Sequence, residues 1–182
     1  MVKEILKKYS FLFKYPEENY KENTKELGEI LKNRFPEIYE KYREFETEII
    51  KTDIDTLREI YTRTFDLNPS CPPYIGYHLF EDSYKKGEFL VSLKEVYKNC
   101  GFEFDEKELP DHLSIILEFI SFKGFDDENV KIIIDEGLML SFDKMRICFK
   151  NGKNPYKSLI ESLELLLKKG SIPEIKEKDN HE

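Results

Sequence analysis

The sequence predicts an all-α protein, a single-domain bundle of about eight helices. Three observations carry this. Apolar residues recur every three or four positions through most of the chain, no alternating stretch reads as a strand or hairpin, and prolines, glycines and capping residues punctuate the pattern at helix-length intervals. At 182 residues, 40% hydrophobic and 36% charged, the chain can bury one substantial core and is too apolar to be disordered.

The elements follow in order. An amphipathic segment from about Val2 to Lys14 must stop before Pro16. A mostly polar helix spans about Glu18 to Arg34, with Leu27, Ile30 and Leu31 as a narrow stripe. Pro36 suits a first helical position and opens a third helix on Ile38, Tyr42, Phe45 and Ile49. Thr52 or Asp53 caps a fourth, which carries Leu57, Ile60, Tyr61 and Phe65. Next comes the run FDLNPSCPPYIGYHLF, residues 65–80, read as a loop. A helix from about Tyr84 to Cys100 ends at Gly101, a natural C-terminal cap. The connector FEFDEKEL leads to Pro110, expected to be the first residue of a helix on Leu113, Ile116, Leu117 and Ile120. The longest segment, about Asp127 to Lys150, is the expected central core helix, with Ile132, Leu140 and Ile147 widening its apolar face and Gly137 and Ser141 allowing close approach of a neighbour. Pro155 starts a last helix that Gly170 closes. Residues 1–170 thus read as the domain, and 171–182 (SIPEIKEKDNHE) as a flexible tail with few anchors.

Composition removes several function classes. A net charge of −8 disfavours nucleic acid, which is gripped by Lys and Arg on phosphates, and suits a cationic partner. No apolar run approaches the roughly 20 residues a membrane helix needs. The first residues lack an export-cleavage pattern, so a cytoplasmic location is expected. Cys71, Cys100 and Cys148 are odd in number and never paired as CxxC, which reads as small buried or half-buried thiols rather than a disulfide framework or zinc site. There is no phosphate-cradling glycine motif.

The candidate chemistry clusters in two places. One is the proline-bounded run, where Tyr74 and Tyr77 either pack into the core or present a ring and a hydroxyl to a peptide. The other is ELPDHL, where Glu108, Asp111 and His112 sit among further carboxylates. Positions three and four from His112 are mainly apolar, which disfavours a metal or acid–base site. At a helix start Asp111 is favoured as an anion, either balancing the dipole or attracting a cation, and His112 either packs locally or donates to a bound peptide.

Two segments, YTRTFDLNPSCPPYIGYHLFEDSYKKGEFLVSLKEVYKNCGF and ELPDHLSIILEFI, resemble the TorD/NarJ-like molybdoenzyme assembly chaperones of the TorD/DmsD/NarJ superfamily, especially the nitrate reductase delta-subunit branch. The resemblance spans about Tyr61 to Phe122. Thr64 is similar to the nitrate reductase branch, whereas CPPY is closer to the others. The resemblance implies a compact helical domain with no covalent chemistry and no stably bound cofactor. It implies a client, the catalytic subunit of a molybdenum enzyme, whose N-terminal twin-arginine-like segment is held in the cytoplasm until bis-molybdopterin guanine dinucleotide is inserted. It also implies site positions: Tyr61 and Phe65 match a Tyr-x-x-x-Phe helix end, Pro73 and Tyr74 a Pro-aromatic loop, and Asp111 and His112 an Asp-His pair. With Tyr77 and Glu108 these form the expected peptide site. A homodimer is compatible with all of this. The competing readings are a helical structural subunit of a respiratory complex and, behind it, a metal-assisted hydrolase on Asp111 and His112.

Overall fold

The computed structural model describes residues 2–81, 83–149 and 153–170, and the expected tail at 171–182 lies outside them. The described residues form α1 (Val2–Leu12), α2 (Tyr20–Arg34), α3 (Pro36–Lys51), α4 (Ile54–Tyr61), α5 (Ile75–Phe80), α6 (Tyr84–Asn99), α7 (Leu113–Lys123), α8 (Glu128–Ile132), α9 (Met139–Cys148) and α10 (Tyr156–Gly170). A π-helical turn, Thr62–Asp66, extends α4, and a second, Ile133–Leu138, joins α8 to α9 in one unbroken helix. The all-α, single-domain expectation holds. The helix beyond the expected eight is α5, formed inside the run read as a loop.

Local signals explain most boundaries. Pro36 is the first residue of α3 and Asp53 caps α4 by accepting from the Thr56 N–H. Asp127 caps α8 through the N–H groups of Asn129 and Val130. Gly101 and Gly124 hold positive φ angles of 70° and 87° just beyond α6 and α7, where a side chain would be strained.

The core is centred on α7, not on the long helix. Eight of the eleven α7 residues are buried, Ile116, Leu117, Phe119 and Ile120 completely, and burial of each such side chain is worth about 1.5–3 kcal/mol. α1 lies along α7, while α2, α3 and α10 pack together beside α1. The 128–148 helix is a side wall. Ile132, Leu140 and Ile147, expected to widen its buried face, are 55%, 51% and 60% exposed. The π turn at Ile133–Leu138 rotates the face presented after it, so the stripe carrying Leu140 and Ile147, read at constant helical pitch, does not stay inward.

Tyrosine supplies much of the interior, and each buried tyrosine hydroxyl finds a partner, as burial requires. Tyr9 donates to Ser162 Oγ at 2.8 Å, Tyr42 to Thr24 O at 2.9 Å, and Tyr20 shares a 3.0 Å bond with Tyr156. Burial pushes these phenols well above their ordinary pKa.

Candidate functional site

The proline run and the ELPDHL segment are joined by backbone. Tyr74 and His112 form an isolated antiparallel bridge, with Ile75 N–H donating to Asp111 O at 3.0 Å and Leu113 N–H to Pro73 O at 2.8 Å. This pairing corrects the expected start of α7. Pro110 is not its first residue, because the backbone of residues 111–113 is engaged across the bridge. The helix begins at Leu113 with His112 as its cap.

His112 Nδ1 accepts from Ser114 N–H at 3.2 Å and lies 2.7 Å from Ser114 Oγ. That acceptor role places the ring proton on Nε2. Burial lowers the His112 pKa to about 4, so the ring is neutral at pH 7.

Asp111 is fully buried and caps α5 across the bridge. Its Oδ2 accepts Gly76 N–H at 2.9 Å, an N–H that the local cap residue Tyr74 leaves without a side-chain partner. This cap explains how six residues following three prolines form a helix. The other oxygen, Oδ1, is buried with no hydrogen-bond partner. Desolvation raises the Asp111 carboxyl pKa, opposed by the Gly76 bond and the charge of Lys86.

The tyrosines divide. Tyr74 is half-buried: its hydroxyl donates to Glu108 Oε1 at 2.9 Å and its ring meets His112 edge-on at 5.2 Å. Burial, with the Glu108 bond next, pushes its phenol well up. Tyr77, also half-buried, sits edge-on to His78 with Lys86 Nζ 5.7 Å from its ring centroid. Tyr61 and Phe65 lie deeper. Phe65 packs at 4.7 Å on Tyr156 and 5.0 Å on Tyr61, and Tyr61 donates to Phe13 O at 3.0 Å. Both are buried supports beneath the loop. Tyr61 feels the charge of Glu108 and the neighbouring Tyr74, behind the larger effects of burial and Tyr156. Pro73 is buried and contributes its carbonyl to the bridge. The structure thus brings Pro73, Tyr74, Glu108, Asp111 and His112 together, with Tyr61 and Phe65 under them and Tyr77 one turn along α5.

Beside this cluster lies a groove that the sequence reading missed. A cavity of about 330 Å³ runs between α5, α6 and the π turn before α9, lined chiefly by Ile75, Leu79, Phe89, Leu93, Ile132 and Gly137, with Glu136 on its wall. Gly76 connects it to the carboxylate. A Cβ there would stand 2.8 Å from Asp111 Oδ2 and 3.0 Å from Phe89 Cδ1. Gly137, singled out as a close-approach position, receives α5: a Cβ on it would touch Ile75 Cγ2 at 3.7 Å. The available signal was two glycines, Gly76 and Gly137, in segments with no turn to explain them. Among the described residues no group of three or more His, Cys, Asp or Glu could hold a metal, and no helix is long and apolar enough to cross a membrane.

The chain is similar to several known proteins. The family model for the nitrate reductase delta subunit matches residues 21–137. A Bacillus subtilis candidate nitrate reductase molybdenum cofactor assembly chaperone, NarJ, is 34% identical over 113 residues, 60% of each chain. An Escherichia coli candidate nitrate reductase molybdenum cofactor assembly chaperone, NarW, is 22% identical over 160 residues, 88% of this chain and 66% of its own. The matched stretches therefore span about two thirds or less of these relatives' lengths. The crystal structure of a candidate redox enzyme maturation protein from Archaeoglobus fulgidus superposes with a TM-score of 0.63 at 25% identity, covering 92% of this chain and 94% of that one. The helical architecture and the match over residues 21–137 have one reading: the chain belongs to the nitrate reductase delta subunit family, whose members are TorD/NarJ-like assembly chaperones.

Proposed function

We propose that this protein is a cytoplasmic maturation chaperone for the catalytic subunit of a molybdopterin oxidoreductase, a nitrate reductase or a relative. It binds that subunit's N-terminal, twin-arginine-like segment and holds the subunit while bis-molybdopterin guanine dinucleotide is inserted, before assembly or export. It performs no covalent chemistry. The observation that carries the reading is the meeting of unlike surfaces at Gly76. On one side is a buried carboxylate with an unpartnered oxygen, Asp111 Oδ1, and on the other an open apolar groove.

An amphipathic cationic peptide matches both surfaces. Its apolar side chains fill the groove, and its Arg or Lys is drawn to the carboxylates of Asp111, Glu108 and Glu136. Tyr74, Tyr77 and the neutral His112 supply ring faces and hydrogen-bond donors along the way, held from below by Tyr61, Phe65 and Pro73. The names of the relatives support the client class.

Calorimetric titration of the full chain with synthetic N-terminal peptides of molybdenum reductase subunits tests this. Saturable 1:1 binding that weakens when the peptide's arginines become glutamine is the expected result. Equal heats from a scrambled peptide would overturn it.

A further inference from the structure

Two of the three cysteines, distant in sequence, meet in the fold. Cys71 sits in the 67–74 loop and is completely buried; Cys148 is the last residue of α9 and is half-buried. Cys148 Sγ lies 2.7 Å from Ser70 O, the carbonyl of the peptide bond that leads into Cys71. That contact sets the Cys148 sulfur beside Cys71, close enough for each thiol to shift the other's pKa. The loop holds Cys71 in place: its N–H donates to Asn68 O at 3.1 Å, Pro72 and Pro73 follow, and the Pro72 carbonyl is 2.8 Å from His78 Nε2.

The geometry points to a reversible intramolecular disulfide between Cys71 and Cys148, formed by exchange with a low-molecular-weight disulfide and pinning the proline loop to the end of α9. The exposure of the two sulfurs sets the order of events. Cys148, the reachable one, attacks a sulfur of the small disulfide RSSR as its thiolate and expels RS⁻, leaving a mixed disulfide. Cys71, deprotonated in turn, attacks the Cys148 sulfur and expels the second RS⁻. One S–S bond breaks and one forms. The two cysteines lose two electrons, RSSR is reduced to two RSH, and these carry away the two protons. The neighbouring Cys71 lowers the Cys148 thiol's pKa, consistent with Cys148 as attacker, while Cys148 and burial raise that of Cys71. Closing a long loop in this way restricts the unfolded chain most. Cys100, also half-buried at the end of α6, is an internal control.

The test treats the full chain with glutathione disulfide, alkylates the remaining thiols and maps the peptides by mass. The expected product is a Cys71–Cys148 cross-link, two hydrogen masses lighter, with an unfolding midpoint several degrees above the reduced protein. Cys71→Ser is expected to arrest the reaction with glutathione on Cys148, and Cys148→Ser to leave Cys71 unmodified. Should Cys71→Ser fail to fold, the Cys148→Ser variant and the parent's cross-link decide alone. Stable glutathione on Cys148 of the parent without a cross-link, or a cross-link that forms only in urea, would overturn the inference.

Discussion

The carboxylate of Asp111 holds the backbone N–H of Gly76 at 2.9 Å across 35 residues of chain, so a side chain before α7 builds the first turn of α5. The same carboxylate keeps its second oxygen buried and unpartnered. One residue therefore has two separable roles, a structural cap and a vacant acceptor, and isosteric substitution distinguishes them. In Asp111→Asn the amide oxygen can still accept from Gly76 while the charge disappears. The fold should survive, and peptide affinity should fall about tenfold, the scale of one charge-assisted hydrogen bond. In Asp111→Ala the Gly76 N–H is orphaned, at a cost of about 1–3 kcal/mol. Calorimetry with a client peptide and urea unfolding of both variants check this; equal binding by Asp111→Asn and the parent would remove Asp111 from the site.

The same carboxylate has a pH signature. Burial raises its pKa in the folded state, so folding favours the protonated carboxyl relative to the unfolded chain. Its stabilising contribution is full below the ordinary value of 3.8 and is lost as pH rises through the folded value. Asp111→Asn should then be more stable than the parent at pH 7, and the gap should close on acidification. Melting curves of the pair across that range read the difference directly.

His112 moves stability in the other direction. Its pKa falls from 6.5 to about 4, so its contribution is complete above pH 6.5 and lost as pH falls toward 4, at most about 3 kcal/mol. His112→Asn retains an acceptor to cap α7 and should keep stability at neutral pH while flattening this slope. His78, also lowered by burial, leaves a residual slope in both proteins. Nitrogen NMR of the parent should show a neutral ring protonated at Nε2 down to about pH 5; a midpoint near 6.5 would contradict the buried cap.

Gly76 is constrained by contact and not by an unusual backbone angle. Gly76→Ala must push apart Asp111 Oδ2 and Phe89, which stand 2.8 and 3.0 Å from the new methyl. The expected cost is about 1–3 kcal/mol, seen as a lower urea midpoint. Unchanged stability would mean that α5 shifts freely on its neighbours.

How much of this was legible follows from range. Helices such as α3 and α4 obey local rules, a proline at the first turn and an Asp cap, and both rules held at Pro36 and Asp53. α5 obeys a distant one, because its cap is Asp111, and no window around YIGYHLF contains that carboxylate. The α7 start was misplaced for the same reason, since residues 111–113 pair with 73–75. The exposure of Leu140 and Ile147 escaped because a π turn resets the pitch ahead of them, and that of Ile132 because it faces the groove. The groove was the least legible part, being a space between three helices whose lining residues each look like ordinary core.

That groove yields the cleanest separation of binding from folding. Ile132 lines it yet is 55% exposed, so Ile132→Lys removes apolar contact and adds a repelling charge with little cost to the fold, within about 0.5 kcal/mol. Ile147 is the matched control: it is 60% exposed on the same continuous helix and is not part of the groove lining. Ile132→Lys should weaken a cationic client peptide about tenfold or more, the scale of one buried apolar side chain and one repulsive charge, while Ile147→Lys binds like the parent. Equal losses from both would point to a general charge effect, and no loss from Ile132→Lys would move the peptide's apolar face to another surface. Titration calorimetry at two salt concentrations separates the parts, because the charge contribution shrinks as salt rises and the lost apolar contact does not.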